Sequence, residues 1–240
     1  MSKYGVKSAT AEQVAALIRD GMWVDYGTIQ PPRAFDRALA QRAGKVKNVK
    51  IRTLGHLAPF EVMEKDPEAK SFWVGNWHIL GLTRKYLSEN RGTHIPYNFG
   101  ETARYYREDI DVDIAVQTVT PMDGHGYFNF GPLCNFKRAV FDKAKIKVVE
   151  IIQDMPWCYG GYDDCIHLSE LDYVIENTTD KIVTIPSPPA TGTDKQIAGY
   201  IAEMIPKDGP CLQIGIGGLP DAVLRLLADS GARDIGIHTE

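Results

Sequence analysis

Residues 209–228 read GPCLQIGIGGLPDAVLRLLA, and residues 21–40 read GMWVDYGTIQPPRAFDRALA. In both stretches an apolar run leads into a glycine turn, and the turn leads into a run with helical spacing. The identical positions lie 188 residues apart and are, in the first copy, Gly21, Gly27, Pro32, Ala34, Arg37, Leu39 and Ala40. A repeat of this length exceeds the periods of solenoid proteins, so it indicates a duplicated domain.

The repeat continues beyond the second helix of each copy. Residues 48–53 read NVKIRT and residues 234–239 read DIGIHT, so that Glu240 occupies the place of Leu54. A cluster of proline, glycine, serine and threonine just before the second copy is typical of a linker, with a boundary near Pro189. We predict an N-terminal domain over residues 1–189 and the start of a second, incomplete domain over residues 190–240, and expect the chain to be part of a longer protein.

The hydrophobic periodicities predict an α/β fold. Several apolar runs are too continuous to have one wet face, which favours an open, mainly parallel sheet with helices on both faces. Residues 121–126 contain Asp-Gly and are predicted to turn a hairpin that adds a small antiparallel piece to the sheet. Predicted helices cover Thr10–Arg19 and Arg33–Arg42, and predicted strands cover Met22–Val24, Val49–Leu54, Phe72–Val74, Val112–Thr120, Ile146–Ile152, Tyr173–Glu176 and Ile182–Ile185.

The composition is that of an ordinary soluble globular protein. A formal net charge of −4 over 240 residues argues against a nucleic acid or an anionic membrane as partner. The N-terminus has no apolar signal region, and no stretch approaches the roughly 18 apolar residues that a membrane span requires. We therefore expect a cytoplasmic protein. A homo-oligomer, either a dimer or a tetramer, is a separate expectation that the composition does not carry.

The four cysteines have neither CxxC pairs nor a regular spacing, which is typical of reduced thiols. Cys158, Cys165 and His167 lie near one another in the sequence with two aspartates between them, but structural zinc sites usually contain tighter ligand pairs. We predict no metal site.

The second glycine turn, residues 213–220 (QIGIGGLP), follows an apolar strand and opens a helix. Its backbone N–H groups either converge on a phosphate or an oxyanion, or serve only to make a tight turn. A dinucleotide fingerprint would need glycine or alanine where the chain has Pro220, and the chain contains no GxxxxGK[ST] phosphate loop.

Four motifs together resemble family I coenzyme A (CoA) transferases, in particular the acetyl-CoA hydrolase/transferase subgroup, which includes butyryl-CoA:acetate and 4-hydroxybutyrate CoA-transferases. The motifs are GIGGLPDAV at 215–223 with HTE at 238–240, DGHGYFNFG at 123–131, Met155-Pro156, and IHLSELDY at 166–173. The resemblance covers essentially the whole chain. It implies two tandem CoA-transferase-like α/β domains, in agreement with the repeat.

The resemblance also implies the roles of individual residues. The family's catalytic glutamate follows the strand after the glycine turn, and Glu240 matches that position. By the same resemblance Gln213, Gly215, Gly217 and Gly218 bind CoA or stabilise oxyanions, and Gly27 lines the acyl pocket. No permanently bound cofactor is implied, since CoA is a substrate, and an acyl-CoA and a small carboxylic acid are the partners.

Three other functions remain open from the sequence. An acyl-CoA hydrolase would use the same scaffold with water as the acceptor. A sugar-phosphate isomerase or sensor would bind a phosphate at the glycine turn, but it would leave the context of Glu240 unexplained. A non-enzymatic interaction module is the third alternative, which an intact second domain would disfavour.

Overall fold

The structure is a computed structural model that describes residues 4–184 and 188–239. The chain divides into two compact units, Met1–Val183 and Thr184–Glu240. The domain limits at residues 189 and 190 remain a prediction.

The first unit is built on one seven-stranded sheet in which every neighbouring pair of strands is parallel. The strand order is β4-β3-β2-β1-β5-β7-β9. These strands are β1 Trp23–Ile29, β2 Val49–His56, β3 Phe72–Asn76, β4 Gly92–His94, β5 Ile114–Val119, β7 Ile146–Ile152 and β9 Tyr173–Asn177. The direction of winding reverses between β1 and β5, so the carboxyl ends of these two strands flank the topological switch point, where open α/β sheets bind ligands.

Helices cover both faces of this sheet, as the sequence predicts. They are α1 Ala11–Ala15, α2 Arg33–Ala40, α3 Glu61–Lys65, α4 Gly81–Ser88, α5 Thr102–Glu108 and α6 Lys137–Lys143. One buried apolar cluster contains Phe35 of α2 and Met63 of α3, and a second contains Tyr106 of α5 and Val140 of α6. Strand residues alternate between the two clusters, which explains why the strands are apolar on both sides.

Two predicted elements are shorter than expected or absent. The helix predicted over Thr10–Arg19 begins with the expected capping box of Thr10 and Gln13 but ends at Ala15, after which the backbone N–H groups of residues 17 and 18 bond three residues back. Residues 182–184 form no strand, because the backbone of Ile182 and Val183 bonds to side chains instead. Ile185, the last residue of that prediction, lies outside the described residues.

The predicted hairpin is also wrong in its pairing. β6 Tyr127–Asn129 pairs with β8 Cys165–His167 in a separate antiparallel sheet and does not extend the main sheet beside β5. The turn itself forms, because the Asp123 carboxylate accepts hydrogen bonds from the backbone N–H groups of His125 and Tyr127. The turn sequence therefore predicts the bend correctly, but it does not predict the strand with which β6 pairs.

The second described unit contains α7 Gly192–Met204, β10 Cys211–Ile214, α8 Gly218–Ala228 and β11 Gly236–Thr239. Its buried core consists of Ala198, Ala222, Val223 and Leu227. The strands β10 and β11 are parallel neighbours, as β1 and β2 are in the first unit. Among the described residues of either unit, no helix is long and apolar enough to cross a membrane.

The two copies of the repeat have the same strand register. Trp23 pairs with Lys50, and the equivalent residues Cys211 and Gly236 pair in the second copy. In both copies the residue two positions before the first pair of the second strand is left-handed, with φ of 55° at Asn48 and 51° at Asp234. Left-handed residues other than glycine are uncommon, so their recurrence at the same position supports a common origin of the two units.

Candidate functional site

The second glycine turn joins β10 to α8. Gly217 is the residue before α8 and adopts a φ of 140°, a conformation that disfavours any residue with a Cβ. A Cβ at Gly215 would meet no atom within 4 Å, and one at Gly218 would lie 3.4 Å from the Pro188 carbonyl oxygen. Gly217 is therefore required by the backbone, whereas no contact within the described residues requires a glycine at position 215.

Gln213 lies in β10, two residues before this turn. It is the register partner of His238 in β11, so the two side chains share one face of the strand pair. Both residues are exposed, whereas Leu212 packs against the small core on the opposite face. The sequence did not single out His238 as a site residue, although its position beside Gln213 follows directly from the shared register of the repeats.

Four of the six predicted site residues thus lie on one strand, turn and helix: Gln213, Gly215, Gly217 and Gly218. Glu240 lies outside the described residues, and it follows β11 directly in the sequence. The sixth, Gly27, belongs to the other unit.

A cavity of about 500 Å³ lies beside the start of α8. Gly218 lines it, together with the proline-rich segment before α7 and the basic side chains of Lys195 and Arg225. One acidic residue, Asp221, also lines this cavity. The walls therefore combine apolar surface with positive charge.

Gly27 lies at the carboxyl end of β1, with φ at 69°. The amide oxygen Oε1 of the buried Gln117, on β5, occupies the space in front of it, and a Cβ at this position would come within 1.9 Å of that oxygen. The Thr53 hydroxyl donates a hydrogen bond to the Gly27 carbonyl oxygen, 3.1 Å away. Gly27 is thus held tightly at the topological switch point. No sequence pattern indicates that Gln117 lies beside it.

The helix that follows this turn, α2, is capped from within the sheet. The Glu150 carboxylate on β7 accepts hydrogen bonds from the backbone N–H groups of Ala34 and Phe35, at 3.0 and 2.9 Å. Burial raises the pKa of Glu150, and the two backbone N–H groups and Asn177 oppose that rise. The start of α2 is therefore capped by a side chain from inside the sheet. No sequence pattern indicates this cap, because Glu150 and the start of α2 are far apart in the chain.

The described residues contain no group of three or more histidine, cysteine or acidic side chains arranged to hold a metal ion. Cys134, Cys158, Cys165 and Cys211 are all free thiols. The Cys165 sulfur accepts a hydrogen bond from Asn129 at 3.4 Å, and burial raises the pKa of this thiol to about 11. The Cys165 thiol is therefore protonated at neutral pH.

The family model for the acetyl-CoA hydrolase/transferase N-terminal domain matches residues 1–186. The chain belongs to this family. It is 38% identical over 99% of its length to a butyryl-CoA:acetate CoA-transferase of Anaerostipes caccae, and it covers 54% of that protein. The chain thus spans about half the length of the curated relatives it matches.

Solved structures agree with this membership of the acetyl-CoA hydrolase/transferase family. RipA from Yersinia pestis is 28% identical and superposes with a TM-score of 0.84, with 98% of this chain and 56% of RipA covered. A 4-hydroxybutyrate CoA-transferase from Porphyromonas gingivalis is also 28% identical, with a TM-score of 0.73, over 99% of this chain and 55% of the other. The family resemblance inferred from the motifs is thereby confirmed.

Proposed function

We propose that the whole protein transfers CoA between a short-chain acyl-CoA, of the acetyl or butyryl type, and a small carboxylic acid. The observation that carries the proposal is the GIGG turn at the end of β10 in a chain of the acetyl-CoA hydrolase/transferase family. Gly217 shapes this turn, because its φ of 140° disfavours any residue with a Cβ. The relatives' names, butyryl-CoA:acetate and 4-hydroxybutyrate CoA-transferase, support the choice of short acyl groups.

Glu240 is the nucleophile in this proposal. Its carboxylate attacks the thioester carbonyl of the acyl-CoA, the C–S bond breaks, and the products are CoA thiolate and a mixed anhydride on Glu240. The thiolate then attacks the glutamyl carbonyl and releases the first acid as a carboxylate. The resulting glutamyl-CoA thioester passes CoA to the second acid by the same steps in reverse order, so the thioester energy is kept.

The glycine turn supplies what this chemistry needs besides the nucleophile. Each tetrahedral intermediate carries an oxyanion, which one well-placed backbone or amide donor stabilises by roughly 3–4 kcal/mol. Gln213, Gly215, Gly217 and Gly218 are the proposed donors and contacts, and Gly27 is the proposed acyl-pocket wall. Lys195 and Arg225 in the nearby cavity carry charge that suits the phosphates of CoA.

No bound cofactor takes part in the proposed reaction, because attack of a carboxylate on a thioester needs neither an electron sink nor a Lewis acid. The remaining parts of the proposal are a cytoplasmic location, a homodimer or homotetramer, and no nucleic-acid or membrane partner.

Rapid quenching and mass spectrometry of the full-length protein test the proposal. After mixing with acetyl-CoA or butyryl-CoA in the absence of an acceptor acid, we expect a CoA adduct on the peptide that contains residues 238–240. Glu240→Gln should not form the adduct, and borohydride should reduce the wild-type adduct to an alcohol. An adduct on another residue, or unchanged transfer by Glu240→Ala, would refute the assignment.

The hydrolase alternative is separated by the same protein in a steady-state assay. Release of free CoA without an acceptor acid measures hydrolysis, and formation of a new acyl-CoA with acetate, butyrate or 4-hydroxybutyrate measures transfer. We expect transfer to exceed hydrolysis by at least about tenfold. Faster release of CoA to water than to every acid tested would favour the hydrolase.

A further inference from the structure

The turn at residues 27–30 is supported by a buried aspartate that has no part in the proposed mechanism. Asp25 lies two residues earlier on β1 and is completely buried. Its Oδ1 accepts hydrogen bonds from the Gly27 backbone N–H at 2.9 Å and from the Gln117 side-chain amide at 3.2 Å. Its Oδ2 accepts a hydrogen bond from the Tyr106 hydroxyl.

All three groups around Asp25 donate. The Trp77 indole N–H, 3.3 Å from the Tyr106 oxygen, donates to that oxygen, so the Tyr106 proton is directed towards Asp25. Burial raises the pKa of Asp25, and Arg52, its register partner on β2, opposes that rise together with the hydrogen bonds. A carboxylate fits this environment because it accepts at both oxygens and donates at neither.

Asp25 also positions the side chain of Gln117, which lies against Gly27. With its amide nitrogen bonded to Asp25, its Oε1 occupies the place of a Cβ at Gly27 and has no hydrogen-bond partner among the described residues. Gly27 is therefore fixed at its N–H by Asp25 and at its carbonyl by Thr53, and Gln117 leaves no room for a side chain at this position.

These contacts matter because the backbone of residues 28–30, just after Gly27, is strained. The Gln30 N–H bonds to the Thr28 carbonyl oxygen across Ile29, which has a φ of 53°. Such a turn is rare, and a positive φ is an outlier for a β-branched residue. It persists only when both of its ends are held. The far end is held by the Thr118 hydroxyl, which donates to the Gln30 carbonyl oxygen at 3.2 Å.

We propose that Asp25 is a positioning residue that, through Gly27, holds residues 27–30 in the shape that the acyl group of the substrate meets. This inference rests on the proposed function, in which Gly27 is a wall of the acyl pocket. It assigns to Asp25, Gln117 and Tyr106 the task of shaping that wall from behind, without contact with the substrate.

Asp25→Asn in the full-length protein tests the proposal, since it keeps the size of the side chain and replaces one acceptor with a donor. Asp36→Asn is the matched control, because Asp36 is also buried and also accepts from a tyrosine hydroxyl and a backbone N–H, those of Tyr26 and Glu61. Tyr106→Phe removes one donor and keeps the ring, and it serves if Asp25→Asn fails to fold.

The first readout is the ratio of kcat/KM for acetyl-CoA to that for butyryl-CoA with one acceptor acid. A loss of folded protein lowers both values equally and leaves the ratio unchanged, whereas a displaced pocket wall changes it. We expect about a tenfold change in Asp25→Asn, a smaller change of the same sign in Tyr106→Phe, and less than about twofold in Asp36→Asn. An unchanged ratio in Asp25→Asn, or an equal change in the control, overturns the proposal.

The second readout is hydrogen exchange of the peptide that covers residues 23–31, which does not depend on activity. We expect exchange about tenfold faster in Asp25→Asn than in the wild type. Asp66→Asn is the control for this readout and should cause no local increase, because Asp66 is also buried but accepts from the backbone N–H groups of Ser71 and Phe72, which lie outside this peptide. Unchanged exchange overturns the proposal. If the wild-type protein shows no CoA transfer, only the proposed function is refuted. Hydrogen exchange still decides whether Asp25 holds the turn, because it does not depend on activity.

Discussion

Gly27 shows how much a single missing methyl group contributes to this structure. Gly27→Ala would place a Cβ within 1.9 Å of Gln117 Oε1 on a residue whose φ is 69°. We expect a loss of about 2–4 kcal/mol in the free energy of unfolding, from the left-handed backbone and from overpacking together. Urea unfolding measures it.

Gly21→Ala is the control for that substitution. Gly21 has a similar φ of 76°, but a Cβ there would meet nothing within 4 Å. It should lose only the backbone contribution, about 1–2 kcal/mol. Equal losses in the two variants would show that the contact with Gln117 is unimportant.

His56 should make the first unit sensitive to acid. The ring is completely buried between Tyr26 and Phe60, and burial lowers its pKa to about 3. Neither ring nitrogen has a hydrogen-bond partner within the described part of the chain. Between the unfolded pKa of about 6.5 and pH 3 the unfolded state binds the extra proton, so stability falls as pH falls through this window.

The comparison with His56→Phe isolates this effect, since Asp36, with a pKa raised to about 7, contributes a slope of the opposite sign in both proteins. From pH 6 to pH 4, we expect wild type to lose roughly 2 kcal/mol relative to the variant. Parallel pH profiles from urea unfolding would contradict the prediction.

At the level of elements, α2 begins without a capping side chain of its own, because Pro32 occupies the N-cap position. Glu150 performs that task from β7. Glu150→Gln should destabilise the protein by about 1–3 kcal/mol, since one amide donor would then face a backbone N–H. Glu176→Gln on β9, where the side chain is exposed, should change stability by less than about 0.5 kcal/mol in the same chemical-unfolding experiment. Similar effects of the two substitutions would rule out the capping role.

The strands with continuous apolar sequences were predictable, and Ile146–Ile152 was predicted with its observed limits. Elements whose limits depend on distant partners were not. Residues 182 and 183 are apolar like a strand, but Asp154 and Gln30 take up their backbone hydrogen bonds. The strand β6 likewise pairs with β8, which lies 36 to 40 residues later in the chain, and not with the strand before the turn.

The site shows the same division. The repeat and the glycine spacing predicted Gly27 and the second turn, because these depend on local backbone geometry. The residues that hold Gly27 come from β2, α5 and β5 and carry no local signal. Asp25, on β1 itself, occupies the repeat position of Gln213, but nothing local in the sequence marks it as a residue that holds the turn.

For the whole molecule, the two units have separate cores. We expect a fragment of residues 1–183 to fold alone, because it contains the complete seven-stranded sheet, both of its apolar clusters and the Gln30–Val183 hydrogen bonds. A single cooperative transition by circular dichroism and dispersed amide signals by NMR would confirm this. A fragment that lacks a cooperative transition would show that the first unit depends on the remainder of the protein.

The two repeats share a strand register, but different side chains occupy its equivalent positions. Asp25 and Gln213 lie at the same place on equivalent strand pairs, and they differ in what they do there. Asp25 is buried and supports the turn of the first copy from inside, whereas Gln213 precedes the turn of the second copy and is one of the proposed oxyanion donors. One strand register thus serves a structural task in one copy and a proposed chemical task in the other.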